Sequence, residues 1–295
     1  MRLETQNKLL KLQFKFAPIY FIAPSFILFF IFVLWPIFQS FHLSFFEWSG
    51  YGEKVFVGFE NYKELLKDPD FYVSFWNNIK YLLIMLLAPI FGLLIALFLN
   101  QNIKGMRIIK SLFYFPFVIN LVVVGLIYSW FYNPDLGILA MIFKKIGLDP
   151  IPVLADENLA IYGIIIANLW PQIAYTLILF ITGLTSMNAQ IVEAGKIDGA
   201  YGFKMLRLVI LPQLRGAGFI AIVITVVGAL RSFDLVATMT AGGPWKKSYV
   251  LGWFMYKESF TNFHMGYGAS IAVILFLILV IFIVIFLRNI VKNER

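Results

Sequence analysis

Three polar side chains recur at helical spacing inside an otherwise apolar block: Asn168, Gln172 and Tyr175, at i, i+4 and i+7. That spacing puts all three on one face of a helix, with Trp170 close by. Amides, a phenol and an aromatic ring suit contact with a neutral, polyhydroxylated solute. A proton or cation relay needs carboxylates, and the middles of the apolar blocks hold none. A second stripe, Thr225, Ala229 and Ser232, carries hydroxyls seven residues apart and reads equally as helix glue or as the wall of a solute path. Near the end of that block Arg231 and Asp234 stand three apart, the spacing of an ion pair that is either structural or a gate.

Catalytic constellations are lacking. His42 and His264 have no acidic neighbour at ligand spacing and read as interfacial side chains. The run Gly242-Gly243-Pro244-Trp245-Lys246-Lys247-Ser248 looks like a phosphate loop, but the spacing G-x-x-x-x-G-K-[ST] is missing and Pro244 removes an amide such a cradle needs. No nucleotide, metal or other cofactor is therefore expected on this chain. The absence of cysteine excludes disulfides and thiolate metal sites.

The elements that position these residues follow from composition. The chain has 295 residues, 61% hydrophobic and only 14% charged, where a soluble domain carries about a quarter charged residues. So much apolar surface needs lipid. A membrane-crossing helix takes roughly 20 mainly apolar residues, and six segments qualify: Phe16–Phe41, Phe71–Leu99, Ile109–Tyr132, Leu159–Leu184, Gly216–Met239 and Gly268–Leu287. They are continuously apolar rather than alternating, which excludes barrel strands. The expectation is an all-α membrane protein of six helices. A tail, 1–15, precedes a membrane domain, 16–290, and a second tail, 291–295, follows it. The first block is too long for a signal peptide and lacks a cleavage site, so it reads as a retained span. Prolines 24, 36, 89, 116 and 171 predict kinks within the spans. Gly218, Ala221 and Gly228 predict close helix approach in the fifth.

Charge sets the orientation. With both termini inside, the inner segments hold fourteen of the 24 Lys and Arg, and the outer loops hold most of the carboxylates. The positive-inside rule then puts the polar segment of about 185–215 in the cytoplasm. The net charge of +8 is a topology signal, since the basic residues spread over four inner segments; nucleic acid is not an expected partner.

That inner segment reads as a mechanical part. Asn188 is placed to cap a short helix, and Ile191, Val192, Gly195 and Ile197 give that helix an apolar side. Asp198-Gly199 is a turn pair, a second short helix covers about Tyr201 to Val209, and Pro212 resets the chain before the fifth span. From the physics alone, an amphipathic segment on the lipid surface fits as well.

The order of residues there resembles the EAA loop of ABC importer permeases, whose pattern is E-A-A-x-x-x-G-x(9)-I-x-L-P. Glu193, Ala194, Gly199, Leu211 and Pro212 match it, while Gly195 replaces the second alanine and Val209 the isoleucine. The likeness covers nearly the whole chain. Gly105, Arg107, Phe115-Pro116, Gly125, Trp130, Asn133-Pro134 and Gly137 resemble carbohydrate importer permeases, and Gly183-Leu184 leads into the loop as in that family. Phe233-Asp234, Thr240, Gly242-Gly243-Pro244, Phe263, Gly266 and Tyr267 resemble the maltose-permease F-type subunit.

The resemblance implies a type I importer permease fold in the bacterial cytoplasmic membrane, with both termini in the cytoplasm and a cytoplasmic coupling helix. It implies as partners a G-type second permease, two ATPase subunits that use ATP and magnesium, and an extracytoplasmic solute-binding protein. ATPase coupling would fall to Glu193, Ala194, Gly195, Asp198, Gly199, Ala200, Leu211 and Pro212. In maltose permease the positions matching Asn168, Gln172 and Tyr175 line the sugar site, with Phe117, Leu121, Thr225, Ala229 and Ser232 matching elsewhere. Several of these are polar there and apolar here, which argues against maltose itself. The expected cargo is a sugar; glycerol-3-phosphate or another polyol is the alternative. An ion-coupled carrier would need inverted repeats and mid-membrane titratable groups, and neither is seen.

Overall fold

The computed structural model describes residues 17, 19–101 and 103–293, and apart from one short hairpin its regular structure is helical. The expected tail 1–15, the first residue of the first expected span and residues 294–295 lie outside the described residues. Helix α1 (Ile19–Leu43) runs unbroken past Pro24 and Pro36, with a π turn at Phe30–Leu34 between them. Strands β1 (Phe46–Glu47) and β2 (Val55–Phe56) pair antiparallel, and α2 (Glu60–Leu65) follows.

Helices α3 (Pro69–Met85) and α4 (Leu87–Leu99) form one crossing of 31 residues. Asp68 starts it by accepting the Asp70 amide at 2.8 Å, with Pro69 in the first turn, where its missing N–H costs nothing. One face of α3 is buried at helical spacing by Phe71, Ser74, Asn78, Tyr81 and Met85, while Tyr72, Trp76 and Leu83 are exposed.

The third expected span is two helices. α5 (Met106–Val118) and α6 (Leu121–Phe131) meet at 98°. Pro116 weakens the last turn of α5, Ile119 is extended, and Asn120 caps the new helix by accepting the Val122 amide at 2.8 Å. Short α7 (Ile138–Lys145) precedes α8 (Ala160–Thr185), which passes through Pro171 without interruption. Beyond it lie α9 (Ala189–Ile197), α10 (Gly202–Gln213) and α11 (Arg215–Leu230). The second short helix of the 185–215 segment therefore runs past Pro212 to Gln213. The 75° bend into α11 falls at Leu214, because proline in a first turn is compatible with helix. The expected fifth span also ends early: α11 stops at Leu230, and a separate α12 (Asp234–Met239) follows. α13 (Leu251–Tyr256) continues into a π turn at Lys257–Thr261, and α14 (Met265–Asn293) completes the fold.

Four helices are long and apolar enough to cross a bilayer: α1, the joined α3–α4, α8 and the Met265–Phe286 part of α14. Counting each bent pair as one crossing gives up to six.

The most extensive helix contact is α4 along α8. Gly92 permits it, since an added Cβ would lie 2.2 Å from Thr176 Oγ1 and 2.9 Å from the Leu177 nitrogen. The Thr176 hydroxyl donates to the Ala88 carbonyl at 2.9 Å, so the two backbones are tied where they come closest. Gly183 does the same against Leu214 and Ala217. The glycines expected to do this work do not: a Cβ on Gly218 would meet only Phe180 at 3.8 Å, and one on Gly228 nothing. Ala221 is fully buried as expected.

Candidate functional site

The segment 188–213 folds back on itself. Asn188 caps α9 by accepting the Gln190 amide at 2.9 Å, and the Gln213 side chain accepts the Asn188 amide at 3.3 Å. At the other end the Ala200 amide donates to the Gly195 carbonyl at 2.9 Å and Asp198 to Ala194 at 3.0 Å. Gly199 makes this closure possible with a φ of +76°, a conformation other residues enter at a cost. Ala200 is buried; Glu193, Ala194, Asp198 and Gly199 are exposed, and Leu211 and Pro212 sit at the surface of α10. Ile197 is 86% exposed and Phe203 73%, so the fold-back presents apolar side chains beside the Glu193 carboxylate. A surface of that mixed kind fits a protein partner.

Gly195 and Val209, the two departures from the EAA pattern, touch. A Cβ added at Gly195 would lie 2.8 Å from Val209 Cγ2, so α9 rests directly on the π turn of α10, Leu206–Ile210. Restoring alanine at 195 forces that side chain or the helix to move. Gly195→Ala is expected to weaken the α9–α10 contact by about 1–3 kcal/mol, and Val209→Ala in the same chain is expected to recover much of it. Thermal unfolding of the single and double variants measures the coupling.

The polar face of α8 is assembled with its internal partners in place. Asn168 Nδ2 donates to the Tyr81 hydroxyl at 2.9 Å, and Gln172 Nε2 donates to Thr225 Oγ1 at 2.9 Å. Thr225 in turn donates to the Ala221 carbonyl at 2.7 Å. Each amide thus has its rotamer fixed by one donated bond, while its side-chain carbonyl oxygen makes no hydrogen bond among the described residues. Tyr175 stacks on Phe117, with ring centroids 5.0 Å apart and planes at 22°. Leu121, half-buried, opens α6 just past the 98° bend.

The fifth-span stripe lies deeper. Thr225 and Ala229 are fully buried, the first as support for Gln172, and Ser232 is 8% exposed with no partner for its hydroxyl among the described residues. Arg231 and Asp234 are both exposed and form no ion pair, because the turn between α11 and α12 takes them off a common helix. His264 does have an acidic partner: its Nδ1 lies 3.0 Å from Glu258 Oε2. Among the described residues no group of three or more His, Cys, Asp or Glu is placed to hold a metal.

Two residues that sequence reasoning passed over hold together the end of the fold where α3 begins and α11 ends. Asn78 Nδ2 donates to the Leu230 carbonyl at 3.0 Å, and its Oδ1 accepts the Leu251 amide at 2.7 Å. Asn77 Nδ2 donates to the carbonyls of Lys247 at 2.7 Å and Tyr249 at 2.9 Å. Both are buried in an apolar helix, and that unusual placement was the available signal.

Residues 88–294 match the family described as the binding-protein-dependent transport system inner membrane component. The chain is 35% identical over 272 residues to a probable ABC transporter permease protein, YurN, of Bacillus subtilis (strain 168), covering 90% of this chain and 93% of that one. It is 29% identical over 269 residues to the sn-glycerol-3-phosphate transport system permease protein UgpA of Brucella abortus biovar 1 (strain 9-941), covering 90% of this chain and 92% of that one. A solved bacterial ABC transporter chain involved in the import of the acidic polysaccharide alginate superposes with a TM-score of 0.85, at 18% identity, over 98% of this chain and all of that one.

Proposed function

The chain belongs to the binding-protein-dependent transport system inner membrane components, and from that premise we propose that it is the permease subunit of an ABC importer for a sugar. Its role is transport rather than catalysis. In this reading the two bent pairs each count as a crossing, giving six, and both termini face the cytoplasm. The α9–α10 fold-back then meets an ATPase subunit, and a second, G-type permease completes the pore. An extracytoplasmic binding protein delivers the solute, and the two ATPases bind and hydrolyse ATP with magnesium.

The observation that carries the coupling role is the exposed α9, built of the EAA residues and pinned to α10 through Gly195. The cargo reading rests on the α8 face: two preset amides and the Tyr175–Phe117 stack, with no charge among them. A glycerol phosphate, the cargo in the name of one relative, would call for cations, and that face has none.

Identifying the ligand carried by the companion binding protein tests the cargo. Tyr175→Ala and Asn168→Ala are expected to reduce uptake of that sugar roughly 5- to 150-fold, the value of one lost buried hydrogen bond or stack, with ATPase assembly unchanged. Unaltered uptake kinetics and substrate range in both variants would remove this face from the solute path.

A further inference from the structure

A cavity of about 550 Å³ opens between the outer ends of α3 and α8, lined by Tyr72, Trp76, Lys80, Glu157, Tyr162 and Lys247. Its depth in the bilayer follows from helix length. The joined α3–α4 crossing ends at Leu99, and roughly 20 residues span the hydrocarbon, so the hydrocarbon boundary falls near Lys80. Counting back from Thr185 along α8 places the same boundary near Ile166, one turn below Tyr162. Lys80 and Tyr162 are level, with the ammonium 5.8 Å from the ring centroid. The cavity therefore sits at headgroup depth, where Trp and Tyr collect.

Its charge is unbalanced in a specific way. The neighbouring Lys246 is paired with Asp70, whose carboxylate holds that ammonium above its usual value. Among the described residues Lys80 has no carboxylate partner, only the Asn77 side-chain oxygen at 3.3 Å, and Lys247 has no carboxylate partner among them either. Asn77 joins the two, since its amide nitrogen also holds the Lys247 carbonyl. Two ammonium groups with no carboxylate partner among the described residues thus line one cavity, against the single carboxylate of Glu157 in the same lining. Below them the exposed wall is apolar, with Leu83 and Ile166 continuing the two helix faces toward the membrane interior.

We propose that this cavity holds the phosphate of an anionic phospholipid headgroup, in the leaflet on the α3 N-terminal side, with the acyl chains running down the Leu83–Ile166 flank. The lysines supply the countercharge, the aromatic side chains hold the glycerol region, and the apolar wall makes the ligand a lipid rather than a free anion. This stands on the depth and charge of the cavity and not on the sugar reading.

The test uses the assembled transporter in phosphatidylcholine nanodiscs containing a trace of phosphatidylglycerol with a photoreactive headgroup. Irradiation is expected to label peptides bearing residues 72–80 and 157–162. Labelling is expected to fall roughly tenfold or more in Lys80→Gln with Lys247→Gln, and to hold in Lys144→Gln with Lys145→Gln. Millimolar inorganic phosphate or sn-glycerol 3-phosphate is expected not to compete. Label on other segments of the wild-type chain, equal labelling by a phosphatidylcholine probe, full competition by either free anion, or cross-linking of this face to the second permease would each overturn the proposal. The wild-type map decides even where the double variant fails to assemble.

Discussion

Glu193→Arg is expected to abolish coupled uptake while the chain still inserts and folds. Glu193 is exposed in the middle of α9 and its side chain makes no hydrogen bond or ion pair among the described residues, so its replacement by another good helix former costs the fold little. In the proposed function, what changes is the face offered to the ATPase, where Glu193 would enter a charge pair. Truncating one partner of a buried charge pair costs about 2–5 kcal/mol, or roughly 30- to several thousand-fold in association, and reversal adds repulsion. Gly199→Val reaches the same outcome by another route. Its φ of +76° is strained for a β-branched residue by about 1–3 kcal/mol, which unseats the Ala200 closure of α9. The measurement is ATP-driven uptake in proteoliposomes, beside the amount of ATPase retained on the purified complex. If both variants transport and retain the ATPase as the wild type does, α9 is not the socket.

Features fixed by neighbours in the chain were legible in the sequence. Asn188 caps α9 as its type and position predict, Asp198-Gly199 turns, and the first, second, fourth and sixth apolar blocks are helices close to the expected bounds. Features fixed by distant contacts were not. Pro116 and Pro212 mark the neighbourhood of the two sharp bends but not their place. The second falls at Leu214, whose side chain packs on Gly183 of α8; the first is set by a local cap, Asn120, that the continuously apolar run around it hides. Glycine alone did not reveal which helices touch: Gly92 and Gly228 look alike in sequence, and only the first meets another backbone. The α8 face was readable as a stripe, but its partners were not. Thr225 and Ser232 read as one stripe, equally helix glue or solute wall, and sequence does not show that Thr225 is the buried support that sets the Gln172 amide.

Asn78→Leu is expected to be the most damaging substitution where α3 meets the ends of α11 and α13. Leu230 ends α11 and Leu251 begins α13, so the Leu230 carbonyl and the Leu251 amide are among the terminal groups a helix cannot satisfy by itself. A single side chain, 1% exposed, satisfies both from a third helix, and thereby fixes the span between them that carries Arg231, Ser232 and α12. Leucine fills similar space and pairs with neither. Two buried polar groups are then left unpaired at about 1–3 kcal/mol each, roughly 2–6 kcal/mol in all, where no bulk water can reach them. Leu83→Ala, on the exposed face of α3, serves as the control and is expected to leave this region intact. The thermal midpoint of the solubilised transporter should fall for Asn78→Leu. Hydrogen exchange at the Leu251 amide should accelerate, because its protection depends on that one oxygen and on no turn of its own helix. An unchanged exchange rate there would mean that the 231–250 segment is held by Asn77 and the Thr240–Ser248 hydroxyl pair instead, and that Asn78 is only a passenger in the packing.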